Sequence, residues 1–577
     1  MKFSSIFTRL KGMPSVALLA MACSAFGGVA SAAPFTWNGS GTNSLWNTGS
    51  NWVGGAAATT GSNLVFSGQL RTTNTNNLSL TTGSIAFGNT NPAWSGFVLT
   101  GSSLNLSGNA RISTQQLSGT GTVLETISND LKLAGGVTLA ASGSAASFHN
   151  LLLSGNLSNS GTAVANVTIA SGNGASVILS GNNVNVGTYN VNAGGILTTL
   201  GTSALNSQTV VNNGRINVNG GTLKVGPLSG TGVISTTGTG LQEVIANFSN
   251  SSSFAGQILD GSGTLALTKE GAGSLTLNGT NTYTGDTTIN AGALTVSSIG
   301  AISSASKVNI NGGSFNYNRN GTFSNTLNGI GTTGVMNLGG ASLVISSTGN
   351  FAGIVNTGTA ETTVTGNLGN ATFNVGPTGV LYGTGTVGTV DVQDGSLVSA
   401  GIGAGGVGKL TVGGYTVESN TVNTVFDIVG SGTFAGTAGT DYDTIVGSGA
   451  IDYGSSGSQL TFDFTNSVGA FKDWSSFKVL DFQTYTNISS LTGDELVTVG
   501  GAYNGLTFDM GDPTNGVFIA DAGNGQTIEF YAATGVLMIV PEPSSIILAG
   551  LGAGLAGFRT WRNRRLKAIL NRAGSKA

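Results

Sequence analysis

The sequence predicts an all-β solenoid in which short parallel strands stack coil upon coil, and three observations predict it. Gly supplies 95 of 577 residues and charged residues only 8%, while apolar residues still reach 39%. Ordinary globular domains carry about 25% charge and about 7% Gly. This chain therefore has the apolar surface to build a core and an excess of residues suited to bends. Next, period-2 apolar patterns recur along the body, as in Leu104-x-Leu106, Ile216-x-Val218, Leu223-x-Val225, Leu265-x-Leu267, Leu275-x-Leu277 and Leu294-x-Val296. Each is a few residues long and bounded by Gly, Asn, Ser or Thr, the pattern of half-buried strands with tight corners. Lastly, particular words return: Val191-Asn192-Ala193-Gly194, Val218-Asn219-Gly220-Gly221, Ile289-Asn290-Ala291-Gly292 and Ile310-Asn311-Gly312-Gly313, with Leu117-Ser118-Gly119-Thr120-Gly121, Leu228-Ser229-Gly230-Thr231-Gly232 and Leu381-Tyr382-Gly383-Thr384-Gly385. Their separations predict a rung of roughly 20–27 residues once skipped copies are allowed.

Residues 1–32 read as a signal peptide. Lys2, Arg9 and Lys11 precede an apolar run at 16–26, and Ala30 and Ala32 place cleavage between Ala32 and Ala33. The single cysteine, Cys23, lies in that segment. Neither disulfides nor a thiol nucleophile is then expected in the mature chain.

Residues 33–450 form the predicted solenoid. Like residues stack on like in such a coil, so inward Leu, Ile and Val form apolar columns and a corner Asn can bond to Asn or backbone one rung away. Outward Thr, Ser and Asn suit β geometry without charge. Residues 33–390 hold 8 Lys/Arg against 7 Asp/Glu, whereas 391–540 hold 3 against 16. Without clustered Lys/Arg in the body, no nucleic-acid partner is expected. Residues 451–538 are expected to be an acidic C-terminal β cap, with Trp474, Phe477, Phe482 and Phe508 among its apolar residues.

Residues 539–567 have a different character. Pro541-Glu542-Pro543 precedes an apolar run at 546–558, and Arg559, Arg562, Arg564, Arg565 and Lys567 follow it. The basic cluster favours the cytoplasmic side, with the body across the membrane. Fifteen residues from Ser544 to Phe558 make about 22 Å of helix, short of the roughly 30 Å hydrocarbon core, which suits a temporary anchor. Residues 568–577 are a short tail.

These three elements in this order resemble the PEP-CTERM sorting signal. The resemblance implies an exported protein processed near Pro541-Glu542-Pro543 by an exosortase, after the Sec machinery and signal peptidase, in bacteria that make extracellular polysaccharide. Residues 267–296 resemble the autotransporter-associated β-strand repeat, through Lys269, Gly271, Gly273, Leu275, Leu277, Gly279, Asn281, Thr282, Tyr283, Gly285, Ile289, Gly292 and Leu294. The segment from Thr36-Trp37-Asn38-Gly39 through Trp46 to Asn51-Trp52 resembles the start of such passengers, and 381–414 with Gly439-Thr440-Asp441-Tyr442-Asp443 resembles their close. The family implies a right-handed parallel β-helix displayed outside the cell. An autotransporter ends in a membrane β-barrel; a sorting helix takes that place here, so export by that route is not expected.

Little chemistry is expected. His149 is the only His, no Cys remains after cleavage, and zinc would need three or four such ligands. No metal or other cofactor is predicted. Paired carboxylates are the remaining catalytic option: Asp441 and Asp443 would share a face if that segment were a strand, with Asp391 and Asp394 nearby. Calcium at such acidic corners stays open. The expected function is an exported structural or adhesin-like surface or matrix protein, with extracellular polysaccharide as the candidate partner. A glycan-active enzyme or a non-catalytic glycan-binding module on the same scaffold are the alternatives.

Overall fold

The computed structural model describes residues 34–541 except 162–163, 185, 202–203, 418–420, 431–435, 455–458, 468–470, 474, 492, 513, 515 and 524. The signal peptide, Cys23, Trp474 and the helix expected at 544–558 lie outside the described residues. The described residues fall into two compact units, those up to 285 with 300–303, and 286–299 with those from 304 on.

The first unit is a parallel β-solenoid. One sheet stacks Phe35–Trp37, Asn63–Phe66, Thr81–Phe87, Leu104–Thr114, Val137–Ala140, Val167–Ile169, Tyr189–Val191, Val210–Asn212 and Leu228–Ser229 in chain order. A second sheet stacks the intervening strands from Thr73–Asn76 to Gln257–Ile258. The alternating apolar residues do as their period demands. In the first sheet Leu64, Ile85, Ile112, Leu139 and Ile169 have no exposed surface. An antiparallel departure occurs where Ser142–Ser144 folds back on Ser147–Leu153.

The opening rung carries an aromatic plug. Trp37 and Trp52 meet edge to face at 5.1 Å, and Trp46 packs on Phe66 at 5.5 Å. The indole N–H of Trp46 donates to Asn74 Oδ1 at 2.7 Å and that of Trp52 to the Trp46 carbonyl at 2.8 Å. Large rings thus fill the apolar interior of this rung, two of them with satisfied indole N–H groups, while Trp37 Nε1 is buried without a partner among the described residues.

Glycine is required where one rung sits on the next. A Cβ at Gly279 would lie 1.8 Å from the Gly256 carbonyl oxygen, one at Gly256 1.9 Å from that of Gly232, and one at Gly232 2.2 Å from that of Gly214. The neighbour in each case is backbone, which cannot rotate away. Gly256→Ala is therefore expected to cost at least the ~1–3 kcal/mol of an overpacked core site, read as a lowered denaturant midpoint. An unchanged midpoint would show that rungs can separate at this column without penalty.

The second unit is also a parallel solenoid. One sheet runs from Ala293–Val296 through Ser314–Tyr317, Val335–Leu338, Ile354–Asn356 and Thr372–Val375 to Thr484–Thr486. Leu294, Phe315, Met336, Val355, Phe373 and Val390 form its fully buried column. On the other face of these strands runs a row of amides. Asn374 Nδ2 donates to Asn356 Oδ1 at 3.1 Å, Asn356 to Asn337 at 2.8 Å, Asn337 to Asn316 at 2.7 Å, and Asn316 to Thr295 Oγ1 at 3.0 Å. The corner bond expected from the sequence also occurs, Asn311 Nδ2 to Asn290 Oδ1 at 2.9 Å. The longer ladder lies within the strands, where the sheet fixes both partners.

Rung length varies more than the repeated words suggest. Successive ladder partners are 21, 19 and 18 residues apart, whereas Asn423 and Thr461 on adjacent strands are 38 apart. Excursions at corners lengthen the later rungs while the strand register persists. Parallel pairing continues beyond residue 450, with Gln459–Asp463 beside Leu496–Val499. The acidic segment therefore supplies solenoid strands as well as a cap. That cap is a five-stranded antiparallel sheet ordered Ser476–Lys478, Val536–Pro541, Gln526–Tyr531, Val517–Gly523 and Asp509–Asp512. Phe477 and Phe508 are buried, Phe530 packs on Phe462 of the solenoid at 5.3 Å, and Tyr453 donates to the Ala532 carbonyl at 3.0 Å.

Candidate functional site

The repeat residues read from the sequence are corner and core positions. Leu275, Leu277 and Tyr283 have no exposed surface. Asn281 is an internal clamp: its Oδ1 accepts the Ile258 N–H at 2.9 Å, and its Nδ2 donates to the carbonyls of Ala301 at 2.8 Å and Gly279 at 3.0 Å. Gly271 takes φ +69° and Gly292 φ +68°, conformations open to glycine at no steric cost. A Cβ at Gly273 or Gly285 would meet the carbonyl of Asn250 at 2.0 Å or Leu265 at 2.5 Å. Lys269 is fully buried, its ammonium donating to the Gly271 carbonyl at 2.9 Å and lying 4.7 Å from the Phe248 ring centroid. Burial lowers its pKa, opposed by the neighbouring Glu270. The repeat thus spends its side chains on its own packing.

His149 lies on an inward position of Ser147–Leu153 and has no exposed surface. Its Nε2 is 2.6 Å from Glu125 Oε1, and its Nδ1 is 2.6 Å from the Gln115 carbonyl. Glu125, also fully buried, accepts the Phe97 N–H on its other oxygen. Glu125 escaped the sequence reading, although Val123-x-Glu125-x-Ile127 places it on an inward position, where a carboxylate needs a partner.

The carboxylates fall apart as a pair. Asp441 lies in a turn, not a strand, and accepts the Thr437 N–H. Asp443 is fully buried: Oδ1 accepts the Gly408 N–H at 2.7 Å, and Oδ2 accepts from Ser399 Oγ at 3.0 Å and the Asp427 N–H at 3.1 Å. The carboxyl beside it belongs to Asp427. Burial raises Asp443 to about 8 and Asp427 to about 6, the charge of Asp463 adding to the latter. Asp391 is on a different sheet, and Asp394 accepts from Thr421 Oγ1 at 2.8 Å. Among the described residues no three His, Cys, Asp or Glu side chains gather as a metal site.

Of the sorting residues, Pro541 is the last of Val536–Pro541, paired with Gln526. Ala32, Ala33, Glu542, Pro543, Arg559, Arg562, Arg564 and Arg565 lie outside the described residues.

Residues 267–296 match the model of the passenger-associated-transport-repeat, and residues 540–565 match that of the PEP-CTERM protein-sorting motif. A 95-residue stretch is 41% identical to the BmaC autotransporter adhesin of Brucella suis biovar 1 (strain 1330), covering 16% of this chain and 3% of that adhesin. No solved structure matches. The sorting motif implies exosortase processing and an exported, cell-surface protein. The chain thus carries a PEP-CTERM protein-sorting motif and, within its β-solenoid, one passenger-associated-transport repeat.

Proposed function

We propose that this chain is a structural or adhesin-like component of the cell surface or extracellular matrix, exported through the Sec machinery, trimmed by signal peptidase and released from a short membrane helix by an exosortase. The sorting motif at 540–565 carries the reading. The motif begins within the last described strand, Val536–Pro541, and overlaps it at 540–541. A right-handed winding follows from the family resemblance. The non-catalytic assignment is supported by where the reactive groups are: His149 and Asp443 have no exposed surface and are occupied by internal partners. A nearly neutral body rich in amides and hydroxyls suits extracellular polysaccharide.

Two measurements test this. Mass spectrometry of the exported form is expected to find a species that begins at Ala33 and lacks the residues beyond Pro543; an intact C-terminus would overturn the sorting step. Matrix extracted from the producing cells is expected to retain the purified protein without being cleaved by it. Release of oligosaccharides would favour an enzyme.

A further inference from the structure

Beside the amide ladder of the second unit lies a small polar groove of about 390 Å³, lined by Ser298, Asn318, Arg319, Asn320, Gly339, Gly340 and Ala341. Asn318 follows Asn316 by two positions, so the groove continues the ladder's face beyond the strand end. It forms because Gly339 and Gly340 bring no side chains. A Cβ at Gly339 would fall 2.2 Å from Asn318 Oδ1, and one at Gly340 2.3 Å from the Arg319 carbonyl oxygen. On the buried face of the strand that leads into it, Tyr317 packs on Phe323 at 4.9 Å and on Phe315 at 6.0 Å.

The lining groups are largely unspent. Asn320 Oδ1 holds the Ala341 N–H at 2.7 Å, which pins that turn. The Arg319 guanidinium is half-buried and makes no ion pair among the described residues, whose pairs are His149 with Glu125 and Lys478 with Asp481. No carboxylate lines the groove. A guanidinium is a rigid fork of donors matched to a carboxylate. Along the ladder, each of Asn316, Asn337 and Asn356 donates one amide N–H and accepts one bond on its oxygen. Each keeps a second N–H and a second lone pair. Rungs repeat every ~4.8 Å, so a fixed donor and acceptor recur at that interval. Half-buried Val335 and Ile354 lie beside them on the same face.

We propose that this groove and ladder bind an acidic polysaccharide, with a uronate carboxylate on Arg319 and the ring hydroxyls of the following units on the Asn amides. A hydroxyl both donates and accepts, so it meets the paired needs of each rung amide, and the C–H faces of the rings rest on Val335 and Ile354. The ladder amides are already oriented, so little ordering entropy is lost on binding. This rests on the polysaccharide partner proposed above and names the site and ligand class.

Purified full-length protein is titrated with polygalacturonate oligomers and with the same oligomers methyl-esterified, which keep the hydroxyls and lose the charge. Binding of the free acid is expected to weaken as salt rises and to exceed binding of the ester at least tenfold. Arg319→Gln is expected to lose the same factor with unchanged thermal unfolding, and Ser298→Trp, which fills the groove from an exposed position, to abolish the preference. No binding by the wild type, equal binding of acid and ester, or Arg319→Gln binding like the wild type would each overturn the proposal. If the wild type is still retained on native matrix in those cases, the surface function stands without this site. If matrix retention also fails, the broader reading falls with it.

Discussion

Glu125→Ala is expected to lower stability by about 3–5 kcal/mol, the range for removing one partner of a tightly held buried pair and leaving the other unmet. Both Glu125 oxygens are engaged, one with His149 Nε2 at 2.6 Å and the other with the Phe97 N–H, and neither Glu125 nor His149 has any exposed surface. The geometry also limits the protons. His149 Nδ1 must donate to the Gln115 carbonyl, so one further proton lies between Nε2 and Glu125. Alanine leaves an imidazole nitrogen and a backbone N–H in a dry interior with nothing to meet them. Glu125→Gln makes the discriminating contrast. Its amide oxygen can take the Phe97 N–H while its NH₂ donates to an unprotonated Nε2, so each bond survives and the loss should stay near ~1 kcal/mol. Denaturant midpoints measure both. Equal losses would mean that charge, rather than the full set of hydrogen bonds, holds the site together.

How far the sequence discloses these features depends on how local they are. Strand-forming alternation is local, so Leu275-x-Leu277 and Leu294-x-Val296 predict buried strands that the structure contains. Stacking is legible where a returning word falls one rung on, as with Asn290 and Asn311, which bond to each other, but Val191-Asn192 and Val218-Asn219 fall on different sheets. Contacts across a rung are not legible when the rung length is unknown. Glu125 and His149 are 24 residues apart, and no spacing rule marks them, because one rung measures 18 residues and another 38. Asp443 shows the same limit at a corner. Its neighbour Asp441 attracts attention in the sequence, yet the chain leaves the sheet after Asp427 and returns through an antiparallel bridge between Ile428 and Tyr442. That excursion brings Asp443 back to the Asp427 backbone. The polar groove escapes for a further reason: it is made by missing side chains at Gly339 and Gly340, and a glycine in a glycine-rich chain carries no local signal.

The Asp443 carboxyl leads to the second large effect, a stability that falls as pH rises. In the unfolded chain an aspartate titrates near ~3.9, whereas burial holds Asp443 at about 8 and Asp427 at about 6 in the folded state. Between those limits the folded protein binds more protons than the unfolded chain, and under linkage its stability then decreases with increasing pH. The contribution is complete below about pH 4, is lost progressively up to about pH 8, and changes little above that. Three donors on Asp443, from Ser399, Gly408 and the Asp427 backbone, work against the shift, and burial outweighs them. The acidic stretch 391–540, with 16 Asp/Glu against 3 Lys/Arg, adds mutual repulsion as carboxyls ionise, so the wild-type slope alone does not isolate this site. Asp443→Asn does. An amide keeps an acceptor for Gly408 and cannot ionise, but it turns its NH₂ toward the Asp427 N–H, a cost that does not change with pH, so the variant is expected to start less stable than the wild type and to show a shallower decline, with the gap closing as pH approaches 8. Unfolding midpoints across that range provide the measurement, and parallel curves for the two proteins would show that Asp443 enters the folded state already charged.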